Sequence, residues 1–234
     1  MKKYLVIIGY LSVLILISCQ KQTESGLVAY YPFNGDARDY SGNNNHGRVD
    51  GPVLTTDRFG QENKAFSFDG EKAVIEANVK GIPAINSPQS FSWWFRINKN
   101  PTYIDEFGAD NMIALVDSAK GIGIQFGFRA LGYKTRGFDA WNWGGETLLE
   151  ANQPEVKKWH HCVYTYDGLT HRFYLNAKEI SKSTAKTQKD IPTLLMFGNY
   201  PSGDQYFEGE MDDIRIYNRK LAHVEINYLF NEGK

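Results

Sequence analysis

Cysteine is nearly absent from this chain. Only Cys19 and Cys162 occur in 234 residues, so a disulfide framework is excluded and no cysteine spacing suits structural zinc. Stability must come from a hydrophobic core. Basic charge is not in excess either: 26 Lys and Arg stand against 27 Asp and Glu, and no basic block is present. Nucleic-acid binders draw most of their affinity from neutralising phosphates, so no such partner is expected. The chain also lacks a phosphate-binding loop, a nucleophile elbow, an internal repeat and an interior low-complexity linker. No apolar run reaches the about twenty residues needed to span a bilayer.

The N-terminus has a basic start at Lys2 and Lys3, an apolar run from Tyr4 to Ile17 and small residues at its exit, the three parts of a secretory signal. Leu16-Ile17-Ser18-Cys19 resembles the bacterial lipobox, in which the Cys is acylated and becomes the first mature residue. Residues 1–18 are therefore expected to be a signal peptide, Cys19 the lipidation site, and 19–25 a polar linker. Two or three acyl chains anchor stably because each buried methylene adds roughly 0.8 kcal/mol. Lipidation of Cys19 leaves Cys162 without a partner. Loss of Lys2 and Lys3 lowers the 26 basic side chains to 24 against 27 acidic, a formal charge near −3. By resemblance to other lipoproteins, Gln20 gives no inner-membrane retention signal, which points to a cell-envelope protein of the outer membrane.

The remaining 216 residues suit one all-β domain, because sandwiches commonly run this long as a single unit. Short β-rich runs such as Leu27 to Phe33, Phe91 to Ile97, Ile122 to Arg129, His161 to Tyr166 and Met211 to Tyr217 alternate with Asn34-Gly35, Ser41-Gly42, Asp69-Gly70 and Asp167-Gly168. Many short strands with this punctuation predict an antiparallel sandwich or jelly roll. Phe91, Trp93, Phe95 and Ile97 share one face of a strand, with Trp94 on the other, so both faces are expected to meet protein or a ligand. Leu221, Val224, Tyr228 and Leu229 predict a short C-terminal helix closing one end of the sandwich.

Four stretches together resemble the concanavalin A-like jelly roll in its laminin G-like form: Gly26 to Gly70 in pieces (GLVAYYPFNGDARDYSGNNNHG, LTTDRFG, AFSFDG), SFSWWFRI from Ser90, WHHCVYTYDG from Trp159 with RFYLNAKEI from Arg172, and FGNYPSGDQYFEGEMDDIRIYNRKL from Phe197. The resemblance implies a two-sheet antiparallel jelly-roll domain over residues 26–234, with Trp94 and Trp159 as core aromatics. It covers nearly the whole mature chain. Two departures stand out. Ala177 replaces the usual Gly of the hairpin after Asn176, where a left-handed Ala costs about 1–2 kcal/mol, so a longer or different turn is expected. Glu71-Lys72 replaces a paired acidic turn.

The resemblance also implies a calcium site. The loop from Asp39 to Gly47 is dense in oxygen donors, which suits a hard cation taking six to eight oxygens at about 2.3–2.6 Å. Asp39, Asn45 and Asp212 would supply side chains and Gly42 and His46 backbone oxygens, with Asp213 beside them. The alternative is that Asp39 and the asparagines only cap turns through their own backbone.

For the ligand, Trp141 and Trp143 lie in a glycine-bounded segment read as a loop, with Asp139 and Asn142 beside them. Aromatic faces next to polar groups suit a carbohydrate or glycoconjugate. An indole folded over the core edge is the other reading of each Trp. The fold also hosts retaining glucanases, so Glu208, Glu210 and Asp212 are a rival catalytic set. On a regular strand Glu208 and Asp212 would stand about 13 Å apart, against the about 5–5.5 Å that a retaining pair needs. A non-catalytic module is therefore expected. His160 and His161 point to opposite faces, one expected packed and one exposed, and Cys162 reads as a small buried hydrophobe. A third reading, docking to an envelope protein, needs no special residues.

Overall fold

Alternation in β6 (Gln89–Arg96) sets the architecture, since Phe91, Trp93 and Phe95 must be buried on one side. The computed structural model describes residues 22–99, 109–131, 135–142, 147–201 and 205–233. Cys19 and Trp143 lie outside them. Among the described residues no helix is long and apolar enough to cross a membrane.

Strands follow as β1 (Leu27–Tyr31), β2 (Gly47–Asp50), β3 (Val53–Thr55), β4 (Ala65–Asp69), β5 (Val74–Ala77), β6, β7 (Ala109–Asp117) and β8 (Ile122–Leu131). After them come β9 (Thr135–Asn142), β10 (Thr147–Asn152), β11 (His160–Tyr166), β12 (His171–Leu175), β13 (Lys178–Ser183), β14 (Leu194–Phe197) and β15 (Glu208–Tyr217), then helix α1 (His223–Asn231). They build two antiparallel sheets. The eight-stranded sheet runs β13-β12-β11-β6-β15-β4-β3, with β1 also on β15, and the seven-stranded sheet runs β10-β9-β8-β7-β14-β5-β2. This is the jelly-roll sandwich that the sequence implied.

The core lies between the sheets. Phe126 of the smaller sheet stands 4.9 Å from both Phe91 and Tyr164 of the larger one, and Phe138 stands 4.9 Å from Phe173. Cys162 is fully buried there, and burial alone pushes its thiol pKa up, so it packs as an inert hydrophobe.

Helix α1 departs from the expected placement. It covers the outer face of the eight-stranded sheet rather than an end, with Ile226 and Leu229 packed on Val163, Tyr174 and Tyr217. Val224 is exposed and Ile226 takes the buried position in its stead. Phe230 stacks 5.9 Å from Trp94, which therefore belongs to this outer layer and not to the core between the sheets. Trp159 is half-buried just before β11, under the Arg96 guanidinium at 5.3 Å. His160 and His161 are both buried, the first bonded to the Glu155 carbonyl and the second to Ser92 Oγ.

The hairpin from β12 to β13 is not lengthened. Asn176 (φ 50°) and Ala177 (φ 65°) both adopt left-handed backbone, giving a two-residue primed turn in which Ala bears the strain that Gly would avoid. Asn176 holds the turn through its carboxamide, which accepts the His161 amide at 3.0 Å.

Candidate functional site

The carboxylate-rich end of β15 lies where the strand changes neighbours. On one side it pairs with β6; on the other, Glu208 to Met211 pair with β4 and Ile214 to Tyr217 with β1. Asp212 and Asp213 fall at the change, where the register slips and Asp213 takes φ 53°. A bulge at such a point turns adjacent side chains the same way.

Both carboxylates are filled by arginine. Asp57 accepts the amides of Phe59 and Gln61, folding the loop before β4 so that Arg58 reaches inward. Arg58 donates to Asp212 Oδ2 at 2.5 Å and to Asp213 Oδ2 at 2.6 Å, and stacks 4.7 Å from the Trp94 ring. Asp213 Oδ1 accepts the Tyr30 phenol at 2.9 Å. Arg215 lies 3.4 Å from the same oxygen and pairs at 2.7 Å with Glu232 from the end of α1. Burial and the adjacent Asp213 charge push the Asp212 carboxyl up to about 8. Asp213 is buried too, but sits between Arg215 and Arg58, which hold its carboxyl below the usual range.

The Asp39 loop takes the turn-capping alternative. Asp39 Oδ1 accepts the amides of Tyr30 and Ser41, both at 2.9 Å, and Oδ2 accepts Ser41 Oγ at 3.0 Å and the Asn45 amide at 2.9 Å. A carboxylate has about four acceptor sites, and all are used. Asn45 is buried with its side chain on Lys80 and Val28, and its carbonyl accepts the Tyr31 phenol at 2.6 Å. His46 Nδ1 accepts the Asp39 amide, while Gly42 (φ 92°) supplies the turn. Asp39 and Asp213 are held at opposite ends of Tyr30, one on its amide and the other on its phenol. In this arrangement Asp39, Asn45, Asp212 and Asp213 do not fit a common calcium cage, because both oxygens of Asp39 and Asp213, the Asn45 carboxamide oxygen and Asp212 Oδ2 already accept from protein donors. Among the described residues no three His, Cys, Asp or Glu side chains converge on a metal position.

The rival catalytic set is likewise paired. Glu208 meets Lys99 at 2.7 Å, Glu210 is gripped by Arg96 at 3.0 Å and Asn98 at 2.8 Å, and Asp212 by Arg58. Each acid has its own partner, so no proton-carrying pair stands free. Two surface cavities adjoin this half of the molecule. One of about 480 Å³ is lined by Thr23, Glu24, Tyr30, Ser41, Arg215 and Glu232. The other, about 400 Å³, lies where β10 meets the β12–β13 hairpin.

The opposite outer face, on the seven-stranded sheet, holds the sequence-predicted ligand residues. The segment read as a loop is strand up to Asn142, so Trp141 and Asp139 project from β9 and not from a loop. Phe138 and Ala140 face the core, which sends Asp139 and Trp141 outward. Their cross-strand partners are Gly127 for Asp139 and Gln125 for Trp141, and across β8 these face Asn111 and Ala114 of β7. Asn142 ends the strand opposite Ile124. The outer row thus carries Asn111, Gln125, Asp139 and Trp141, all buried, with Trp141 5% exposed.

Gln125 and Asn111 were not singled out from sequence. The available signal was a polar residue alternating with glycine inside an apolar run, Gly123-Ile124-Gln125-Phe126-Gly127. Neither Oε1 nor Nε2 of Gln125 has a hydrogen-bond partner among the described residues, and Asn111 Oδ1 lacks one too. Asn111 Nδ2 donates to the Gln205 carboxamide.

Two antiparallel sheets packed face to face in this order define a jelly-roll sandwich, one face of which is closed by its own helix. The chain belongs to the concanavalin A-like lectin/glucanases superfamily, whose laminin G-type family model matches residues 69–227. No curated protein matches it. Among solved structures it is similar to domain 4 of AbnA, a GH43 extracellular arabinanase from Geobacillus stearothermophilus in complex with arabinotriose. That match has 19% identity and a TM-score of 0.68, covering 88% of this chain and 98% of the other. The binding domain of Paraclostridial Mosquitocidal Protein 1 matches at 18% identity and TM-score 0.68, over 89% of this chain and 52% of that one. The Trypanosoma rangeli sialidase matches at 16% identity and TM-score 0.63, over 88% and 32%. The chain thus spans about half of the mosquitocidal binding domain and a third of the sialidase. These neighbours comprise binding domains and glycosidases.

Proposed function

We propose that this chain is a lipid-anchored envelope protein whose sandwich domain is a non-catalytic carbohydrate- or glycoconjugate-binding module. The observation that carries the reading is the outer face of β7, β8 and β9, where Trp141 stands in a row with Gln125 and next to Asp139. An aromatic surface beside hydrogen-bonding groups is the mixture a sugar site needs. The arabinotriose complex of AbnA domain 4 supports it by analogy of fold. The individual pairing of Glu208, Glu210 and Asp212 argues against glycoside hydrolysis. Calcium has no part in this reading, since the Asp39 and Asp212 carboxylates serve as internal acceptors.

The anchor rests on the lipobox ending at Cys19, and the outer membrane on Gln20. Metabolic labelling with a fatty acid should mark the wild type and not Cys19→Ala, and that variant should move to the soluble fraction. A variant still membrane-bound would remove the anchor from the proposal. For the module, a glycan array on the purified full chain should give binding that Trp141→Ala abolishes. A blank array, with capture of an envelope protein in its place, would favour the docking reading.

A further inference from the structure

Gln125 is a costly polar side chain to bury on the outer face of the seven-stranded sheet. It has no exposed surface, and neither its carbonyl nor its amide nitrogen is hydrogen-bonded among the described residues. An unsatisfied buried polar group typically costs about 1–3 kcal/mol, whereas an apolar side chain of the same shape there costs nothing of the kind. Stability alone would therefore favour leucine. The position is also aimed: Phe126 on one side and Ile124 on the other point into the core, so Gln125 points outward with Trp141.

The unmet hydrogen-bonding capacity has a sign. Two buried carbonyl oxygens, Gln125 Oε1 and Asn111 Oδ1, lack a donor, while one amide nitrogen, Gln125 Nε2, lacks an acceptor. Asn111 and Gln125 flank the same stretch of β8 and β7, with Gly127 between Asn111 and Asp139. No side chain intrudes at Gly127, where a Cβ would meet the Asp110 carbonyl at 2.0 Å. A ligand that satisfies this set must donate at least as often as it accepts. A hydroxyl does both, whereas a carboxylate, sulfate or phosphate only accepts. An anionic group would leave both carbonyl oxygens unmet and set its own lone pairs against them.

Resting on the carbohydrate-binding reading above, we propose that Gln125 and Asn111 are the sugar-recognising contacts. They read a neutral, hydroxyl-rich saccharide unit through its hydroxyl donors, in preference to an acidic one, with Trp141 as the neighbouring apolar surface. A site built to bond a hydroxyl rejects an analogue lacking it because its own polar groups are left unpaired. Because the Gln125 carboxamide has no exposed surface in this state, binding includes a rearrangement over it. Association slower than about 10⁵ M⁻¹ s⁻¹ is the expected consequence.

The test uses the full chain on an array of neutral glycans alongside sialylated, uronic-acid and sulfated ones, followed by titration of the best neutral and acidic members. Neutral glycans should bind, and Gln125→Leu should lower their affinity by at least about tenfold while leaving Tm unchanged or higher. A merely structural glutamine would not separate those two readouts. A second measurement needs no variant: the side-chain amide resonances of Gln125 should shift when the neutral glycan is added. Neutral binding that survives Gln125→Leu, an amide signal that does not move, or preference for acidic glycans would each overturn this inference and leave the binding-module reading standing. An array blank across all classes would overturn both.

Discussion

The two outer faces of the sandwich are built from the same strand periodicity and used in opposite ways. On the eight-stranded sheet, helix α1 buries Tyr174, Tyr217 and Val163, and each buried charge beneath it has an opposite charge within reach. On the seven-stranded sheet, the outward positions of β7, β8 and β9 hold amides and a carboxylate, and Gln125 has no hydrogen-bond partner among the described residues. The first face is closed by the chain's own C-terminus. The second carries the one carboxamide whose oxygen and nitrogen both lack a partner among the described residues, so the two faces differ in how completely their polar groups are met.

Substitutions should divide along that line. The largest effect is expected at Asp213, whose removal leaves the buried Arg58 facing a proton-bearing Asp212 and the buried Arg215 with Glu232 alone. Asp213→Ala should lose about 3–5 kcal/mol in denaturant unfolding. A loss under 1 kcal/mol would mean that the network is solvated. Next, Leu229→Ala under α1 should cost about 2–5 kcal/mol and leave glycan affinity untouched, whereas Gln125→Leu should do the reverse. If both variants lose binding and stability together, the faces are not independent.

Asp212 sharpens the picture through pH. Its folded carboxyl is raised well above the unfolded value of 3.8, so the folded state retains a proton that the unfolded state releases. Its contribution is present in full at acid pH and is lost as pH rises toward about 8, with a slope of at most about 1.4 kcal/mol per pH unit. Asp212→Asn should flatten stability between pH 4 and 8, and an unchanged profile would show that the group stays ionised. The smallest effect is expected at the primed turn, where Ala177→Gly relieves a left-handed Ala beside the helix layer. A gain of about 1 kcal/mol, or about 2–4 °C in Tm, should appear by calorimetry.

What the sequence disclosed follows from how local each feature is. The alternation of Phe91, Trp93 and Phe95 announced a core strand because period two is written into neighbouring residues. The glycines that bound the Trp141 segment, Gly137 and Gly144-Gly145, argue for a loop, and the pairing of β9 with β8 and β10 overrides that local preference. Trp141 and Gln125 lie side by side on the outer row, but they belong to different strands and only the register unites them. The Asp39 loop looked like a cation cage because carboxylate and carboxamide oxygens serve metals and backbone amides equally well. What separates the two is Arg58, 154 residues from Asp212 in the chain, and no spacing rule connects them. Helix α1 was legible as a helix. Its seat was not, because Trp94 and Phe230 meet only in three dimensions.

Arg219 ties the beginning of the described chain to its end. Its guanidinium donates to the carbonyls of Gln22 at 2.8 Å and Ser25 at 2.7 Å, while Glu225 of α1 holds it from the other side at 2.6 Å. Thr23, Glu24 and Glu232 then share the wall of one cavity. The two ends of the described chain thus lie side by side. A circular permutant that joins residue 233 to residue 22 and reopens the chain at the exposed Leu169 turn keeps every strand pairing intact. Residues 22 and 233 both lie on the helix-bearing side of the sandwich, opposite the amide-lined sheet.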